Sequence, residues 1–349
     1  MNLKKKIRIA IIAPPFGNNG GPEIVAQNLA NALFELGADV TLFAPADFFT
    51  KAKHIHTLPQ SLWKMKDFKF QSKEERKNLR ISSQMEVLKY QDEFDIIHLH
   101  SQKYAHLVGK AAKKPCILTF HNKIVADEFE KIKKTGIYTV ALSQTHGNDL
   151  DFSAVIANGI PVKNIQPSFE IGKYLIAIGR LTEPKGIDIA IEIAKKTGNK
   201  LLIFGRIGNS IERQKYFNEK IKPLICDDII YKGEVSQKEI FEYLKNAQAL
   251  LSPIRRVTKV CPLTVIESLA CGTPVISSPM NPIPEILNDP LIACLSDDFD
   301  VLVDAVKNIK RFDRKKCRKV AEIFFDSSVM AKKYLELYKK IIKTKSIGI

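Results

Sequence analysis

Two cations and two glycines fall within eight residues of the second half of the chain, Gly179-Arg180-Leu181-Thr182-Glu183-Pro184-Lys185-Gly186. The segment follows a strand-like apolar run and precedes a helix-like one. A guanidinium and an ammonium at such an edge, with glycines that let the backbone approach closely, suit a diphosphate. Further on, Glu267 is the carboxylate of the otherwise apolar run Cys261-Pro262-Leu263-Thr264-Val265-Ile266-Glu267-Ser268-Leu269-Ala270-Cys271-Gly272-Thr273-Pro274-Val275-Ile276. Its two oxygens can accept a pair of hydrogen bonds from a vicinal diol such as ribose, or it can simply favour the helix dipole. In the first half, Pro14-Pro15-Phe16-Gly17-Asn18-Asn19-Gly20-Gly21-Pro22-Glu23 joins an apolar run to a helical one. Glycines there open the backbone to phosphate or sugar oxygens at a helix N-terminus. The spacing is neither G-x-G-x-x-G nor a P-loop, and a structural tight turn explains it equally well.

His98 and His100 alternate along one strand and share a side, as metal ligands sometimes do. No third ligand follows in pattern, so they are expected in the core or lining a cleft, and no metal is expected. His54 and His56 read the same way. The six cysteines, at 116, 226, 261, 271, 294 and 317, have no close pair. They suit neither a disulfide framework nor a zinc site, and most are expected as buried small apolar residues.

These residues need elements to position them. Apolar residues at 24, 25, 29, 32, 33 and 36 have helical spacing, with Pro22 in the first turn, Glu23 at the positive end and Gly37 as the stop. Strands are expected at 7–13, 39–44, 96–100, 116–121, 138–143 and 154–157, with helical stretches between them. The pattern restarts near 173: strands at 174–178, 201–204, 249–252 and 274–277, and helices at 187–196, 237–246 and 263–271. Strands separated by helices imply parallel sheets covered on both faces. The fold class is therefore α/β, with two doubly wound domains whose strand ends face a shared cleft. Residues 160–172, with Pro161 and Pro167, form the expected linker. Residues 51–90 are the least regular and suggest a loop followed by a helix.

With 349 residues, each of two domains can bury its own core, and 45% hydrophobic with 26% charged content fits a globular protein. The N-terminal Lys4-Lys5-Lys6-Ile7-Arg8 and the apolar run after it read as a first strand, not a secretory signal, because the run flows into the glycine turn. No apolar stretch is long enough to cross a bilayer, so a cytoplasmic protein is expected. The net charge of +16 is uneven. Residues 51–90 carry ten Lys/Arg against four acids, and residues 331–349 six lysines against Glu336. Such a surface favours an anionic partner, or is simply solvated. Leu62, Trp63, Met65, Phe68 and Phe70 among those lysines suit peripheral contact with an anionic membrane, at its inner face. No nucleic-acid reading module is present.

Taken in order, Gly20-Gly21-Pro22-Glu23, Asp95-Ile96-Ile97-His98, Thr119-Phe120-His121, Asn158-Gly159-Ile160, Gly179-Arg180-Leu181 with Lys185-Gly186, and Glu267 to Pro274 resemble the retaining GT-B glycosyltransferases of family 4. The resemblance covers the whole chain. It implies two Rossmann-like domains: an acceptor domain at 1–165, joined by a C-terminal helix at 331–349 that crosses back to it, and a nucleotide-sugar domain at 166–330. It implies that Arg180 and Lys185 neutralise the donor diphosphate, that His121 stands near the donor sugar, and that Glu267 binds ribose. Gly20, Gly21, Gly179, Leu263 and Thr264 would line the donor site. The donor would be a UDP- or GDP-sugar and the acceptor a hydroxyl, lipid-linked or soluble, with no cofactor and no metal. One departure stands out: the family's first glutamate of E-x7-E falls at Lys259, in the donor-sugar contact. That reversal of charge suggests either an acidic sugar or a loop turned into water. It also motivates a second hypothesis, a catalytically silent nucleotide-sugar-binding or scaffold protein. An oxidoreductase is disfavoured, because the dinucleotide glycine spacing is missing.

Overall fold

The structure, a computed structural model, describes residues 6–17, 20–68, 71–147, 150–255 and 262–347, with side chains up to 344. The chain forms two compact units, Met1–Pro161 with Asp326–Ile349, and Val162–Phe325. The crossings therefore fall at 161/162 and 325/326, not at 165/166 and 330/331. The cause is local. Ile160 and Asp326 form a parallel bridge, and Ser327 N–H donates to Ile160 O at 2.8 Å, so both passages of the chain are pinned side by side in the first unit.

The first unit is built on a parallel sheet of β1 (Arg8–Ile12), β2 (Asp39–Ala44), β3 (Lys53–His56), β4 (Ile96–Leu99), β5 (Cys116–Thr119), β6 (Tyr138–Ala141) and β7 (Ala154–Val155). Their order is β3-β2-β1-β4-β5-β6-β7. Ile9 to Ile12 are fully buried because β1 is central and covered on both faces. Lys53–His56 forms a strand within the stretch expected as a loop. Its polar, half-exposed side chains are tolerated because it is an edge strand. Helix Lys73–Met85 follows, opened by a capping box in which Ser72 N–H donates to Glu75 Oε2 at 2.7 Å and Glu75 N–H donates to Ser72 Oγ at 3.1 Å.

The last helix, Ser327–Ile347, belongs to this unit and packs on helix Gly21–Glu35. It begins before residue 331 because the Asp326 carboxylate accepts from Ser328 N–H at 2.9 Å. Two fully buried tyrosines fasten it to the sheet. Tyr338 OH lies 2.7 Å from His98 Nδ1, His98 Nε2 lies 2.8 Å from Thr119 Oγ1, and Thr119 Oγ1 lies 2.7 Å from Tyr334 OH. Burial pushes the His98 pKa down to about 3, so the ring is neutral, with one nitrogen donating and the other accepting.

The second unit repeats the theme with β8 (Tyr174–Ile178), β9 (Leu201–Phe204), β10 (Ile229–Gly233), β11 (Ala247–Ser252), β12 (Val275–Ser277) and β13 (Ala293–Leu295), in the parallel order β10-β9-β8-β11-β12-β13. This is a Rossmann-like order. Arg314 is buried and ties several segments together. Its guanidinium donates to Ser168 O, Ala247 O, Lys245 O and Thr273 Oγ1 at 2.8–3.0 Å. Cys116, Cys271, Cys294 and Cys317 are buried free thiols, and Cys226 is exposed.

The His98 network yields a stability prediction. Tyr338→Phe leaves His98 Nδ1 buried without a partner, at a cost of about 1–3 kcal/mol. Tyr334→Phe should cost less, because Thr119 keeps His98. Urea unfolding of the two variants beside the parent checks the order, and a Tyr338→Phe protein as stable as the parent would refute it.

Candidate functional site

Gly179 and Arg180 stand just past the carboxyl end of β8, and Gly205 and Arg206 just past that of β9. Gly179 N–H donates to Phe204 O at 3.0 Å and Gly205 N–H to Gly233 O at 2.8 Å, extending the ladder to the edge. A Cβ on Gly205 would lie 1.8 Å from Gly179 O, so the two backbones meet without side chains. Gly186, at φ +64°, ends the Glu183–Lys185 turn and opens helix Ile187–Thr197. There a Cβ would lie 1.9 Å from Pro253 O. The Lys185 stem lies over Gly179, its Cδ 3.7 Å from where a Gly179 Cβ would be. Arg180 and Lys185 are thus brought to one edge.

The cluster is larger than the motif. The Arg180 pKa is lowered by partial desolvation and then by the charges of Arg213 and Arg206. Among the described residues neither Arg180 nor Arg213 has a carboxylate partner. Sequence reasoning missed Arg206 and Arg213. A signal for Arg206 was present in the repeated strand ending, Ile178-Gly179-Arg180 and Phe204-Gly205-Arg206. Arg213, on helix Ile211–Tyr216, carries no such mark.

The loop after β11 is fastened to the same turn. Arg255 N–H donates to Pro184 O at 3.0 Å, and its guanidinium forks onto Asp188 with both contacts at 2.6 Å. Tyr216 OH donates to Asp188 Oδ1 at 2.9 Å. Lys259 lies outside the described residues. Leu263 and Thr264 stand partly buried in the first turn of helix Leu263–Ala270, and Glu267 lies one turn on, 5% exposed. Gln237 Nε2 donates to Glu267 Oε1 at 2.8 Å. Burial raises the Glu267 pKa to about 7, against the opposing pull of Gln237.

In the first unit, Gly20 is the N-cap of helix Gly21–Glu35, with Pro22 in its first turn. A Cβ on Gly20 would lie 2.0 Å from Glu23 Oε2, so the turn needs glycine because the Glu23 carboxyl folds back against it. Glu23 is 3% exposed, and burial raises its pKa to about 7 although the Glu23 and Phe16 N–H groups donate to it.

His121 follows β5 and stacks on His100, ring centroids 5.0 Å apart, with His100 Nδ1 2.8 Å from His121 Nε2. Burial first, then neighbouring histidines, holds both pKa values well below 6.5, so both rings are neutral. His100 Nε2 is buried without a partner. A bare lone pair is less costly there than an unpaired N–H. The pair therefore favours His100 donating from Nδ1, which leaves the proton of His121 on its Nδ1. His121 thus becomes a neutral hydrogen-bond donor oriented by His100.

Other expectations change with burial. Of the apolar residues between 62 and 70, Leu62 is buried, Met65 and Phe68 are partly buried and Trp63 is 51% exposed, while Phe70 lies outside the described residues. Leu62 therefore belongs to the core, and Trp63 is the most exposed of the described apolar residues in that stretch. Among the described residues no helix is long and apolar enough to cross a membrane, and no three His, Cys, Asp or Glu converge as a metal site.

Residues 19–160 match the family described as Glycosyltransferase Family 4, and residues 162–322 the family described as Glycosyl transferases group 1. No curated protein matches the chain in sequence. Solved structures similar over nearly the full length include AviGT4, a glycosyltransferase involved in avilamycin A biosynthesis, with TM-score 0.73, 19% identity and coverage of 97% of this chain and 98% of that one. A sucrose-phosphate synthase from Thermosynechococcus elongatus has TM-score 0.74 and 17% identity, covering 97% and 100%. HepE of Anabaena in complex with UDP has TM-score 0.72 and 15% identity, covering 96% and 100%.

The raised Glu267 pKa sets a pH dependence. A carboxyl that titrates near 4.5 unfolded and about 7 folded costs nothing below 4.5 and most above 7. Glu267→Gln, which still accepts from Gln237, should therefore stabilise the protein above pH 7, by up to roughly 3 kcal/mol. The gain should vanish toward pH 4.5. Unfolding midpoints of variant and parent across this range test it, and a pH-independent difference would count against it.

Proposed function

This chain belongs to the group 1 glycosyltransferases of the GT-B fold, and we propose that it moves a sugar, with retention at the anomeric carbon, from a UDP- or GDP-sugar to a hydroxyl acceptor. The observation that carries the proposal is the cationic edge at the ends of β8 and β9, where Arg180 and Arg213 lack carboxylate partners among the described residues and Lys185 lies over Gly179. A concentration of positive charge that is partly desolvated is unfavourable alone and favourable around a diphosphate. HepE, of the same fold, has been solved in complex with UDP, which supports a nucleoside diphosphate here.

In the proposed reaction the bond between the anomeric carbon and the β-phosphate oxygen breaks, and negative charge grows on that oxygen. Arg180 and Lys185 stabilise this charge where it develops, so they lower the barrier rather than merely tighten substrate binding. The acceptor oxygen forms its bond to the anomeric carbon on the face the diphosphate leaves, and its proton passes to the departing phosphate. Glu267 accepts from the ribose hydroxyls, and Leu263 and Thr264 flank the donor. His121, a neutral donor at Nδ1, bonds a hydroxyl of the donor sugar. Gly20 and Gly21 keep the loop before helix Gly21–Glu35 free of side chains. Cationic side chains fill the place of a divalent ion.

Arg180→Ala and Lys185→Ala should each lower turnover by about a hundredfold or more, with thermal unfolding little changed. Transfer measured across a panel of UDP- and GDP-sugars provides the assay. Near-normal turnover in both variants would dismiss the assignment. Activity should also persist in a chelator. If chelation abolishes it and a divalent ion restores it, the metal-free part of the proposal fails.

A further inference from the structure

The proposed donor chemistry makes no use of Arg80. It sits partly buried on helix Lys73–Met85, with its guanidinium carbon 4.9 Å from the centroid of the Phe16 ring and 5.2 Å from that of Tyr104. Phe16 stands on the loop leaving β1, and Tyr104 on the loop leaving β4. β1 and β4 are neighbours, and they are the pair at which the strand order of this sheet reverses. Loops leaving such a pair diverge and open a crevice at the carboxyl ends of the strands. Arg80 is gripped by both of them.

Nothing described balances this cation. No carboxylate among the described residues pairs with it, and its Nε is buried without a hydrogen-bond partner. Burial lowers its pKa, and only the Tyr104 phenol acts the other way. Two aromatic faces offset part of the desolvation, but they leave the N–H groups unused. A second cation joins it: Lys103 Nζ lies 5.4 Å from the same Tyr104 ring and has no ion pair among the described residues. Tyr104 is itself the one described non-glycine residue with positive φ, at 73°. Such strain collects where a side chain has to be aimed. Gln84, one turn along from Arg80, donates to Lys103 O at 2.9 Å and so ties helix to loop, while its buried Oε1 accepts nothing.

On the glycosyl-transfer reading, we infer that this cluster is the acceptor subsite and that it holds a phosphate ester. The phosphoryl group takes the Arg80 fork and the Lys103 ammonium, because two unpaired cations match a dianion better than a single carboxylate. Gln84 Oε1 is left to accept from a hydroxyl of the acceptor. Trp63, half exposed, borders the cluster, with its ring centroid 5.9 Å from that of Phe16.

Trp63 is the only tryptophan in the chain, so its fluorescence reports on this cluster directly. The full-length protein is titrated with inorganic phosphate, glycerol phosphate, and vesicles of phosphatidylglycerol or phosphatidylcholine, at constant ionic strength. The expected result is a saturable change with a phosphate probe whose half-saturation rises at least tenfold in Arg80→Gln and less in Arg80→Lys. Arg180→Ala, the control for phosphate bound at the other cationic cluster, should leave it in place. Response to the soluble probes assigns a soluble phosphate ester, and response to phosphatidylglycerol vesicles alone assigns a lipid headgroup. Equal half-saturation in parent and Arg80→Gln, or no response to any probe, overturns the subsite. Calorimetric titration with UDP keeps the two readings apart. UDP binding untouched by Arg80→Gln leaves the donor reading standing even if the subsite falls. An Arg80-dependent phosphate response without UDP binding upholds the subsite as an anion site and counts against the donor reading.

Discussion

Every strand in both sheets runs parallel to its neighbours, so each connection must return along the sheet before the next strand can start. At the central pair of each sheet the successive connections leave in opposite directions, and the loops at the carboxyl ends part. β1 with β4 and β8 with β11 are those pairs. Phe16 and Tyr104 come from the first parting, and the Arg180–Lys185 segment and Arg255 from the second. The second is partly closed by the chain itself, since Pro253 O presses toward Gly186 and Arg255 bonds Pro184 O. Both candidate sites thus follow from one topological constraint, and the local sequence decides only which side chains occupy them.

The central strands were legible because burial on both faces requires unbroken apolar runs. β8 and β9 read directly as 174–178 and 201–204, while β2 read as 39–44 through its alternation. The edge strand β7 was expected at 154–157, but the outer strands β3, β10 and β13 escaped. Lys53–His56 carries a single apolar residue, Ile55, and Ala293–Leu295 is too short to make a pattern. The candidate site divides in the same way. Arg180, Lys185, His121 and Glu267 sit in motifs whose local spacing carries information. Arg213, His100 as the partner of His121, and Arg80 between two rings depend on proximity across elements, which no single window of sequence holds. Lys259, the sharpest departure seen in the sequence, lies outside the described residues.

Charge is distributed by burial as much as by composition. The acids at the candidate sites, Glu23 and Glu267, are buried and shifted to about 7, where they are partly protonated near neutrality. Arginine does not give up its proton under the same treatment. Desolvation therefore weakens the negative charges of these regions and leaves the positive ones. Other guanidinium groups are matched by acids, as Arg8 is by Asp95 and Arg255 by Asp188, both at 2.6 Å.

The bond between His98 and Tyr338 spans 240 residues. On a ribosome adding roughly 5–20 residues per second, about 10–50 s pass between the appearance of the histidine and that of its partner. The whole of the second unit is made in that interval. During it the first unit holds a sheet whose His98 and Thr119 have no tyrosines to meet, and a helix, Gly21–Glu35, without its covering neighbour. The first unit is completed only after the second has been made, and through that wait its uncovered apolar surface is open to non-native contacts.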